Sequence, residues 1–456
     1  MSRLKRTLNL WAHRDITPIG RNILVKTFAI SQLVFLFQTL PNPPSSFILE
    51  LNSALYNFIW KDKPDKVKRH TIINPIHLGG LKVIHVESFI HSLKITWIKR
   101  YLSEGNGAWK IFLDYYLRDF GKEFFFKCNV NKHDIPTINN LFVTDICKAW
   151  SLLSFKEPTG KFENEIIWNN SHVKVNNNIV FYQFLHFKGI DYVYNFFNND
   201  KLPLKYKEFV EVYNLDNFPF VWYNGLVSAI PTLWKQNLNN TDYSYNHNEV
   251  LLNRLLGQKS VSQWAYGNLI NEIITPPTAL PKWSYHFNND TWSNIFSNAW
   301  FSVRDVKLHY FQFRFLHRIL GTNRRLYLMK LKESPLCSFC KTHEETIEHL
   351  FWNCHIVSSF LLDVESMFVG RCFVFSKEDI FFGFKQLLKH PFNFLIYHSK
   401  FYIFQCKQEN KVPNIFEFEK KFKFALEVEK KISMSKVSKR YFSYNELDNI
   451  FQNIHL

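Results

Sequence analysis

CSFCKTHEETIEHLFWNC, residues 337–354, carries three cysteines and a histidine in the order Cys337-x2-Cys340-x8-His349-x4-Cys354. Three thiolates and one imidazole satisfy the preference of Zn²⁺ for four sulfur or nitrogen donors in a tetrahedron. The Cys-x2-Cys turn presents two sulfurs to one ion. The five-residue step from His349 to Cys354 is about one and a half helical turns, so both can face inward near a helix end. We therefore predict a small zinc knuckle in which protein donors fill the shell and the ion is structural.

Two alternatives stay open at this motif. His343 and His355 could compete as ligands, although His343 follows Cys340 closely and His355 adds a nitrogen beside Cys354 instead of replacing His349. The residues could also be ordinary reduced cysteines around an apolar helix, without a metal.

The composition of the whole chain bounds its class. Its 456 residues are 46% hydrophobic, which suits two to four folded domains and argues against disorder throughout. Lys and Arg number 56 against 39 Asp and Glu, so the net charge is +17. Such an excess favours a polyanionic partner. A drift toward Lys-rich, AT-rich codons is the competing explanation.

The cysteine usage and the N-terminal region suggest a compartment. Seven cysteines do not form a secreted disulfide framework, and four of them are scattered: Cys128, Cys147, Cys372 and Cys406. The start, MSRLKRTLNLW, lacks the apolar core of a signal peptide. The run ILVKTFAISQLVFLFQTLP from Ile23 is interrupted by Lys26 and ends at prolines, which predicts a buried helix instead of a bilayer span. We expect an intracellular protein of the cytoplasm or nucleus, with no membrane partner.

Apolar residues at helical spacing predict a mainly α, multi-helical fold. The pair Gly79-Gly80 among β-type residues is typical of a short β-hairpin, near 67–86. One long helix is predicted over Trp292–Leu320 and a charged helix from Pro413 to about Arg440, with Phe418 on its apolar stripe. Four regions follow: a helical region with a basic loop or hairpin at 1–110, a helical connection at 111–290, a basic helix with the zinc knuckle at 291–365, and a helical tail at 366–456.

The zinc motif and its surroundings resemble a known family. HRILGTNRRLYLMKLKESPLCSFCKTHEETIEHLFWNC, from His317, resembles the zinc-binding segment at the C-terminal end of reverse transcriptases from non-LTR (LINE-type) retrotransposons. The shared features are a Thr-Asn dipeptide at 322–323, the cysteine pair, Glu-Thr at 345–346, His-Leu-Phe at 349–351 and the last cysteine.

Other stretches resemble the same family in the same order. LNLWAHRDITPIGRNILVKTFAISQLVFLFQTLP, from Leu8, resembles the thumb helices that follow the polymerase palm, and FIWKDKPDKVKRHTIINPIHLGGLKV, from Phe58, resembles the stretch after them. The segment IPTLWKQNL, from Ile230, also fits. The resemblance implies a C-terminal fragment without the palm or the endonuclease. Polymerase chemistry needs carboxylates that hold two metal ions, and the sequence contains no Asp-Asp pair. We therefore expect no polymerase activity and no small-molecule substrate.

The implied role of the fragment is to bind RNA or DNA. At about 100° per residue, four cations of the predicted long helix fall within a quarter turn and lead into an arginine pair; the set is Arg304, Lys307, Arg314, Arg318, Arg324 and Arg325. Such cations contact phosphate, and Phe339 or Trp352 could stack on unpaired bases. The alternatives are a solvated helix face for the cations and core positions for the two aromatics. An inert retroelement product or a protein-interaction scaffold is the alternative function, and the oligomeric state is left open.

Overall fold

The structure is a computed structural model that describes residues 1–105, 107–158, 160–238, 246–367, 374–385 and 391–434. The chain divides into two compact units. Unit 1 comprises Met1–Ile30, Ser53–Ile84 and Ile274–Leu456, and unit 2 comprises Ser31–Asn52 and His85–Ile273. Each unit therefore joins segments that are distant in sequence. The four consecutive regions expected from the sequence remain a prediction.

Helices dominate both units. The α-helices of the described residues, in chain order, are α1 Ser2–Ala12, α2 Pro18–Leu24, α3 Val34–Thr39, α4 Ser45–Trp60, α5 Arg69–Ile73, α6 Val86–Leu102, α7 Ala108–Leu117, α8 Leu141–Ser154, α9 Gln183–Phe187, α10 Tyr206–Tyr213, α11 Phe220–Ala229, α12 Thr232–Gln236, α13 His247–Leu256, α14 Val261–Asn271, α15 Asn289–Ser302, α16 Val306–Leu316, α17 Asn323–Leu328, α18 His355–Ser366, α19 Lys377–Phe382, α20 Pro391–Gln408 and α21 Ile415–Met434. Two π-helical turns, Val25–Ala29 and His349–Asn353, and several short 3₁₀ turns complete the helical structure. The predicted mainly α fold is confirmed.

The strands of the described residues form a single two-stranded hairpin. Strand β1, Lys174–Val175, pairs antiparallel with β2, Asn178–Ile179, in the register Lys174↔Ile179. The turn residues Asn176 and Asn177 both have positive φ, as a tight two-residue hairpin turn requires. The sequence placed a hairpin near 67–86 instead, and that position is wrong.

Residues 67–86, all of which the structure describes, form α5, a 3₁₀ turn at Ile76–Leu78, an irregular return and the first residue of α6. Gly79 has φ +78°, which favours glycine, and a Cβ on Gly80 would lie 1.9 Å from the carbonyl oxygen of Asn74. The returning chain donates from Lys82 N to that same carbonyl at 3.0 Å. The glycine pair therefore lets the chain close over Asn74 and does not form a hairpin turn.

The long helix expected over Trp292–Leu320 is two helices. Helix α15 ends at Ser302, and Asp305 caps the start of α16 by accepting a hydrogen bond from Lys307 N at 2.7 Å. A short acidic side chain at this point satisfies backbone donors that a continuous helix would use internally, so the chain begins a new helix there. Helix α16 ends at Leu316, and Arg318 has φ +54°.

The core of unit 1 is built largely from aromatic side chains. Phe311 and Phe315 of α16 and Phe351 of the zinc motif are fully buried and lie in edge or tilted contact. Trp283 joins them and donates from Nε1 to the carbonyl of Leu316 at 2.9 Å. These contacts fix the zinc motif against α16, because a buried aromatic cluster combines large apolar area with specific ring geometry.

One buried cation lies in the same core. The ammonium of Lys400 donates to Gln312 Oε1 at 2.9 Å and to the carbonyl of Phe381 at 3.0 Å, above the ring of Phe315. Burial holds the pKa of Lys400 well below its usual value. The two acceptors and the ring replace part of the water that the ammonium loses.

Unit 2 has a separate core. Helix α6 packs against α8 and α14. Two buried tryptophans anchor the surrounding loops through their indole N–H groups: Trp150 donates to the carbonyl of Phe126 and Trp168 to that of Ile190, each at 2.9 Å.

The apolar stretch Pro18–Thr39 is helical throughout, but the structure corrects the expectation that it is buried. It has the length and apolar composition of a membrane-crossing helix, and 33% of an 18-residue apolar stretch within it is buried. Phe35 is largely exposed. Core helices of soluble proteins and signal sequences pass the same test of length and composition.

The charged helix predicted after Pro413 is confirmed as α21, which is described to Met434. Glu417 and Lys421 form an ion pair at 3.1 Å, and Phe418 and Phe422 are buried. Its predicted extension to about Arg440 lies outside the described residues.

Candidate metal centre and basic surface

Four donor side chains converge in unit 1. The sulfurs of Cys337, Cys340 and Cys354 and a ring nitrogen of His349 all lie within 4.8 Å of one another. Cys340 Sγ is 3.3 Å from His349 Nε2, and Cys337 Sγ is 3.9 Å from Cys354 Sγ. Cys337, His349 and Cys354 are buried, and Cys340 is partly exposed. The arrangement could hold a metal ion.

Local backbone structure positions each donor. The Cys337–Cys340 loop is closed by Cys337 N donating to the carbonyl of His343 at 2.8 Å and by Lys341, whose φ is +58°. His349 begins a π-helical turn, and Cys354 N donates to the His349 carbonyl at 2.9 Å. An i to i+5 hydrogen bond brings residues five apart close together, whereas an α-helix would turn them away from each other. The π-turn therefore explains how His349 and Cys354, five residues apart, both reach the four-donor cluster.

The environment of two of the three thiols, Cys340 and Cys354, favours the thiolate. A hydrogen bond from Cys337 lowers the pKa of Cys354 to about 4, helped by backbone N–H groups at the start of α18, and the same contact raises the pKa of Cys337. Burial acts to raise the pKa of Cys340, but hydrogen bonds from Thr342 and His343 outweigh it and lower that pKa to about 6. Thiolate is the form that binds metal.

The competing histidines lie outside the four-donor cluster. His343 and His355 are exposed, and His343 Nδ1 lies 2.9 Å from the hydroxyl of Thr342. The donor set of three sulfurs and one nitrogen fits Zn²⁺, which takes such sets in tetrahedral structural sites.

A buried carboxylate holds the cysteine loop in place. Glu345 Oε1 accepts from Asn323 N at 2.8 Å, and Oε2 accepts from Ser338 N at 2.7 Å. Lys407 of α20 lies 3.4 Å from the same carboxylate and donates to the carbonyl of Gly321 at 2.7 Å. We call Asn323, Ser338, Glu345 and Lys407 the carboxylate clasp. It joins the Thr-Asn dipeptide, the cysteine loop and the C-terminal helix α20.

Sequence reasoning did not identify Glu345 or Lys407 as supports of the site. In the sequence Glu345-Thr346 stands out only as part of the family motif, and Lys407 lies 53 residues beyond Cys354. Nothing in the sequence around Lys407 indicates that this lysine is buried and paired with Glu345.

The six predicted nucleic-acid-binding cations have different environments. Three are engaged within the fold: Arg304 pairs with Glu429 at 2.6 Å, Arg318 pairs with Glu348 at 2.5 Å, and Arg314 lies over the rings of Tyr310 and Phe404. They do not share one helix face, because Arg304 precedes α16 and Arg318 follows it.

The other three predicted cations lie at the surface. Lys307 and Arg324 are exposed, and Arg325 is half-buried with Nη1 donating to the carbonyl of Arg318 at 3.0 Å. Arg324 also pairs with the half-exposed Glu344 at 3.2 Å. A surface pair of this kind contributes little to stability, so Arg324 can exchange its partner for phosphate.

The basic loop at 61–68 adds cations to this surface. The pKa of Lys66 is lowered first by partial burial and then by the like charges of Arg314, Lys63 and Arg325. Lys66 precedes Arg314 and Arg325 by about 250 residues in sequence, yet it lies close enough for their charges to act on it. We call Lys63, Lys66 and Arg325, the members of this set that lie at the surface, the basic cluster.

The two aromatics considered for base stacking belong to the core. Phe339 is buried, and Trp352 is partly buried and packs against the core of unit 1. Both therefore occupy core positions, which was the alternative to base stacking.

Comparison with known proteins identifies one segment. Residues 281–360 match the model of a family described as zinc-binding in reverse transcriptase. The matched span includes all four donors and Glu345 and ends before Lys407. No curated protein matches the chain.

Proposed function

We propose that the four donors bind one structural Zn²⁺ and that unit 1 binds RNA or DNA as part of the machinery of a LINE-type reverse transcriptase. The observation that carries the proposal is the convergence of Cys337, Cys340, His349 and Cys354 within a segment that matches a reverse-transcriptase zinc-binding family. The finer assignment to LINE-type elements rests on the sequence resemblance.

The donor set supports a structural role for the ion. Four protein donors complete a tetrahedron, so the shell has no free position for a reactive water. Three thiolates and Zn²⁺ leave one net negative charge. Burial lowers the pKa of Lys407, and the charges of Glu345 and Cys337 act in the opposite direction. The ion would connect the cysteine loop to the start of α18. The carboxylate clasp would keep that loop in position through the hydrogen bond from Ser338 N to Glu345.

Metal content tests the zinc assignment. The purified full chain should contain about one zinc per molecule by elemental analysis, and Cys354→Ser should lose most of it. Cys406→Ser is the matched control, because Cys406 is also buried in unit 1 but lies outside the donor cluster. Zinc-free wild-type protein, or full zinc content in Cys354→Ser, would contradict the assignment.

The basic cluster and the net charge of +17 support nucleic-acid binding. Like charges held together repel, and phosphate relieves that repulsion while releasing counterions. Binding should therefore weaken steeply as salt rises.

Salt titration tests this binding. Fluorescence anisotropy with labelled duplex DNA should give a linear fall of log affinity against log salt, and Lys63→Gln/Lys66→Gln should reduce the slope by about 2. Lys201→Gln/Lys207→Gln removes the same charge from exposed positions of unit 2 and should leave the slope closer to that of wild type. Binding that ignores salt, or equal slopes for the two double variants, would refute a role of the basic cluster.

We also infer that the chain by itself does not polymerise DNA and that it acts inside the cell, in the cytoplasm or nucleus. The absence of an Asp-Asp pair from the sequence supports the first point. Primer extension with added Mn²⁺ tests it, since any incorporation of nucleotides would refute it.

A further inference from the structure

An exposed apolar segment follows the arginine pair of unit 1. Tyr327 is 46% exposed, Leu328 72%, Met329 54% and Leu331 68%. With Lys330 these residues form what we call the 327–331 ridge. Adjacent apolar side chains directed at solvent mark an interaction site more often than an ordinary surface.

The ridge has a defined backbone and does not depend on a loop. Helix α17 ends there in a Schellman motif: Lys330 N donates to the carbonyl of Tyr327 and Leu331 N to that of Leu326, each at 2.9 Å. Lys330 has φ +57°, a conformation that disfavours a residue with a Cβ. The Schellman motif at the end of α17 thus holds the apolar side chains of the ridge toward solvent.

The carboxylate clasp anchors the start of α17, the helix at whose end the ridge lies. Asn323, the first residue of α17, donates from its backbone to Glu345 and from Nδ2 to the carbonyl of Leu336 at 2.6 Å. Lys332, just beyond the ridge, donates to Asn323 Oδ1 at 2.7 Å. The ridge is therefore fixed to the cysteine loop, and a ligand on it would meet a preorganised surface.

Charge identifies the class of ligand. Residues 322–332 contain four cations, Arg324, Arg325, Lys330 and Lys332, and no carboxylate. Arg324 is three residues before Tyr327 in α17, so the two lie on neighbouring positions of one helix face. An exposed ring flanked by cations is the arrangement that holds unpaired bases, because the ring stacks on a base while the cations bind the adjacent phosphates.

We propose that the 327–331 ridge binds unpaired nucleotides, with Tyr327 as the stacking residue and Arg324, Lys330 and Lys332 as phosphate contacts. The proposal rests on the nucleic-acid binding proposed above and deepens it to single-stranded RNA or DNA. A duplex keeps its base faces stacked inside, so it cannot use the ring. The ridge replaces the stacking role considered for Phe339 and Trp352, which are core residues.

Two matched probes test the ridge at one salt concentration. The zinc-loaded full chain is titrated into a labelled unstructured twelve-nucleotide strand and into a labelled twelve-base-pair duplex. Tyr327→Ala should weaken single-strand affinity at least fivefold and duplex affinity less than twofold, since stacking on one ring contributes a comparable factor. Tyr327→Phe should retain single-strand affinity. Phe416→Ala, which removes another exposed ring of unit 1, should behave as wild type.

Direct stacking has its own readout. A 2-aminopurine base in the strand should change its emission on binding to wild type and to Tyr327→Phe, but much less on binding to Tyr327→Ala. Unchanged zinc content and unchanged urea midpoint confirm that each variant is folded.

The outcomes separate the two proposals. Salt-sensitive binding by wild type together with an unaltered Tyr327→Ala refutes the ridge alone. Equal losses on strand and duplex also refute it. Tyr327→Ala that changes only self-association, with unchanged strand affinity, makes the ridge a protein-docking surface and overturns the proposal. Wild type that binds neither probe at micromolar concentration refutes the proposed function itself.

Discussion

Replacing Glu345 with glutamine tests the carboxylate clasp with a change of very few atoms. The carboxylate is fully buried and accepts backbone N–H groups from Asn323 and Ser338 on its two oxygens. Glutamine keeps one acceptor oxygen but presents an NH₂ group to the second N–H, so one buried donor loses its partner. The substitution also removes the negative charge that faces Lys407.

The expected loss of stability follows from these contacts. A hydrogen bond to a charged group contributes about 1.5–3 kcal/mol, and removing one partner of a buried ion pair costs about 3–5 kcal/mol. Lys407 keeps its hydrogen bond to the carbonyl of Gly321, which moderates the second effect. We therefore expect Glu345→Gln to lower the free energy of unfolding by about 3 kcal/mol.

Urea unfolding of the zinc-loaded full chain measures this loss. Glu333→Gln is the matched control, since Glu333 is exposed in the same segment and the loss there should stay below about 0.5 kcal/mol. Lys407→Met and the double variant complete a cycle. The double variant should lose less than the sum of the single losses, because neither change then leaves a buried charge alone. Zinc release to a chromophoric chelator should also be faster in Glu345→Gln, since the loop that carries Cys337 and Cys340 loses its support.

Two results would refute this reasoning. One is a Glu345→Gln protein as stable as Glu333→Gln, which would mean that the carboxylate is not buried and bonded as described. The other is strict additivity in the cycle, which would mean that Glu345 and Lys407 do not interact.

Two further predictions concern other parts of the fold. Burial lowers the pKa of His317 to about 4, and its Nε2 lies 2.7 Å from the carbonyl of Gly79. The unfolded chain therefore binds the proton more tightly than the folded chain. The contribution of His317 to the free energy of unfolding is complete above pH 6.5 and is lost between pH 6.5 and 4, up to about 3 kcal/mol. His317→Gln should therefore show a shallower fall of urea midpoint with acid than wild type, and parallel curves would contradict this. Gly80→Ala should lower the melting temperature, at a cost of about 1–3 kcal/mol or more, because its Cβ would lie 1.9 Å from Asn74 O. Gly267→Ala in α14, where nothing lies within 4 Å of the new Cβ, should raise it by the equivalent of about 0.5–1 kcal/mol, and a reversed order of the two variants would refute the packing argument.

Local patterns were sufficient for much of the fold. The helical spacing of apolar residues predicted a mainly α chain, and the charged stripe after Pro413 predicted α21 with Phe418 inward. The errors occurred where a polar side chain or a close backbone contact overrides periodicity. Asp305 divides the predicted long helix, and the carbonyl of Asn74 explains the glycine pair that suggested a hairpin.

The sequence by itself determined the donor set of the candidate metal centre, because all four donors lie within 18 residues and their spacing depends on two local turns. It could not determine which cations remain free, since Arg304 and Arg318 meet carboxylates that only folding brings near. Nor could it identify the clasp, in which Lys407 meets a carboxylate 62 positions earlier in the chain. Contacts between distant segments depend on how helices pack, and packing depends on the shapes of many side chains at once. The chemistry of the site is therefore local in sequence, whereas its support and its surface are properties of the tertiary structure.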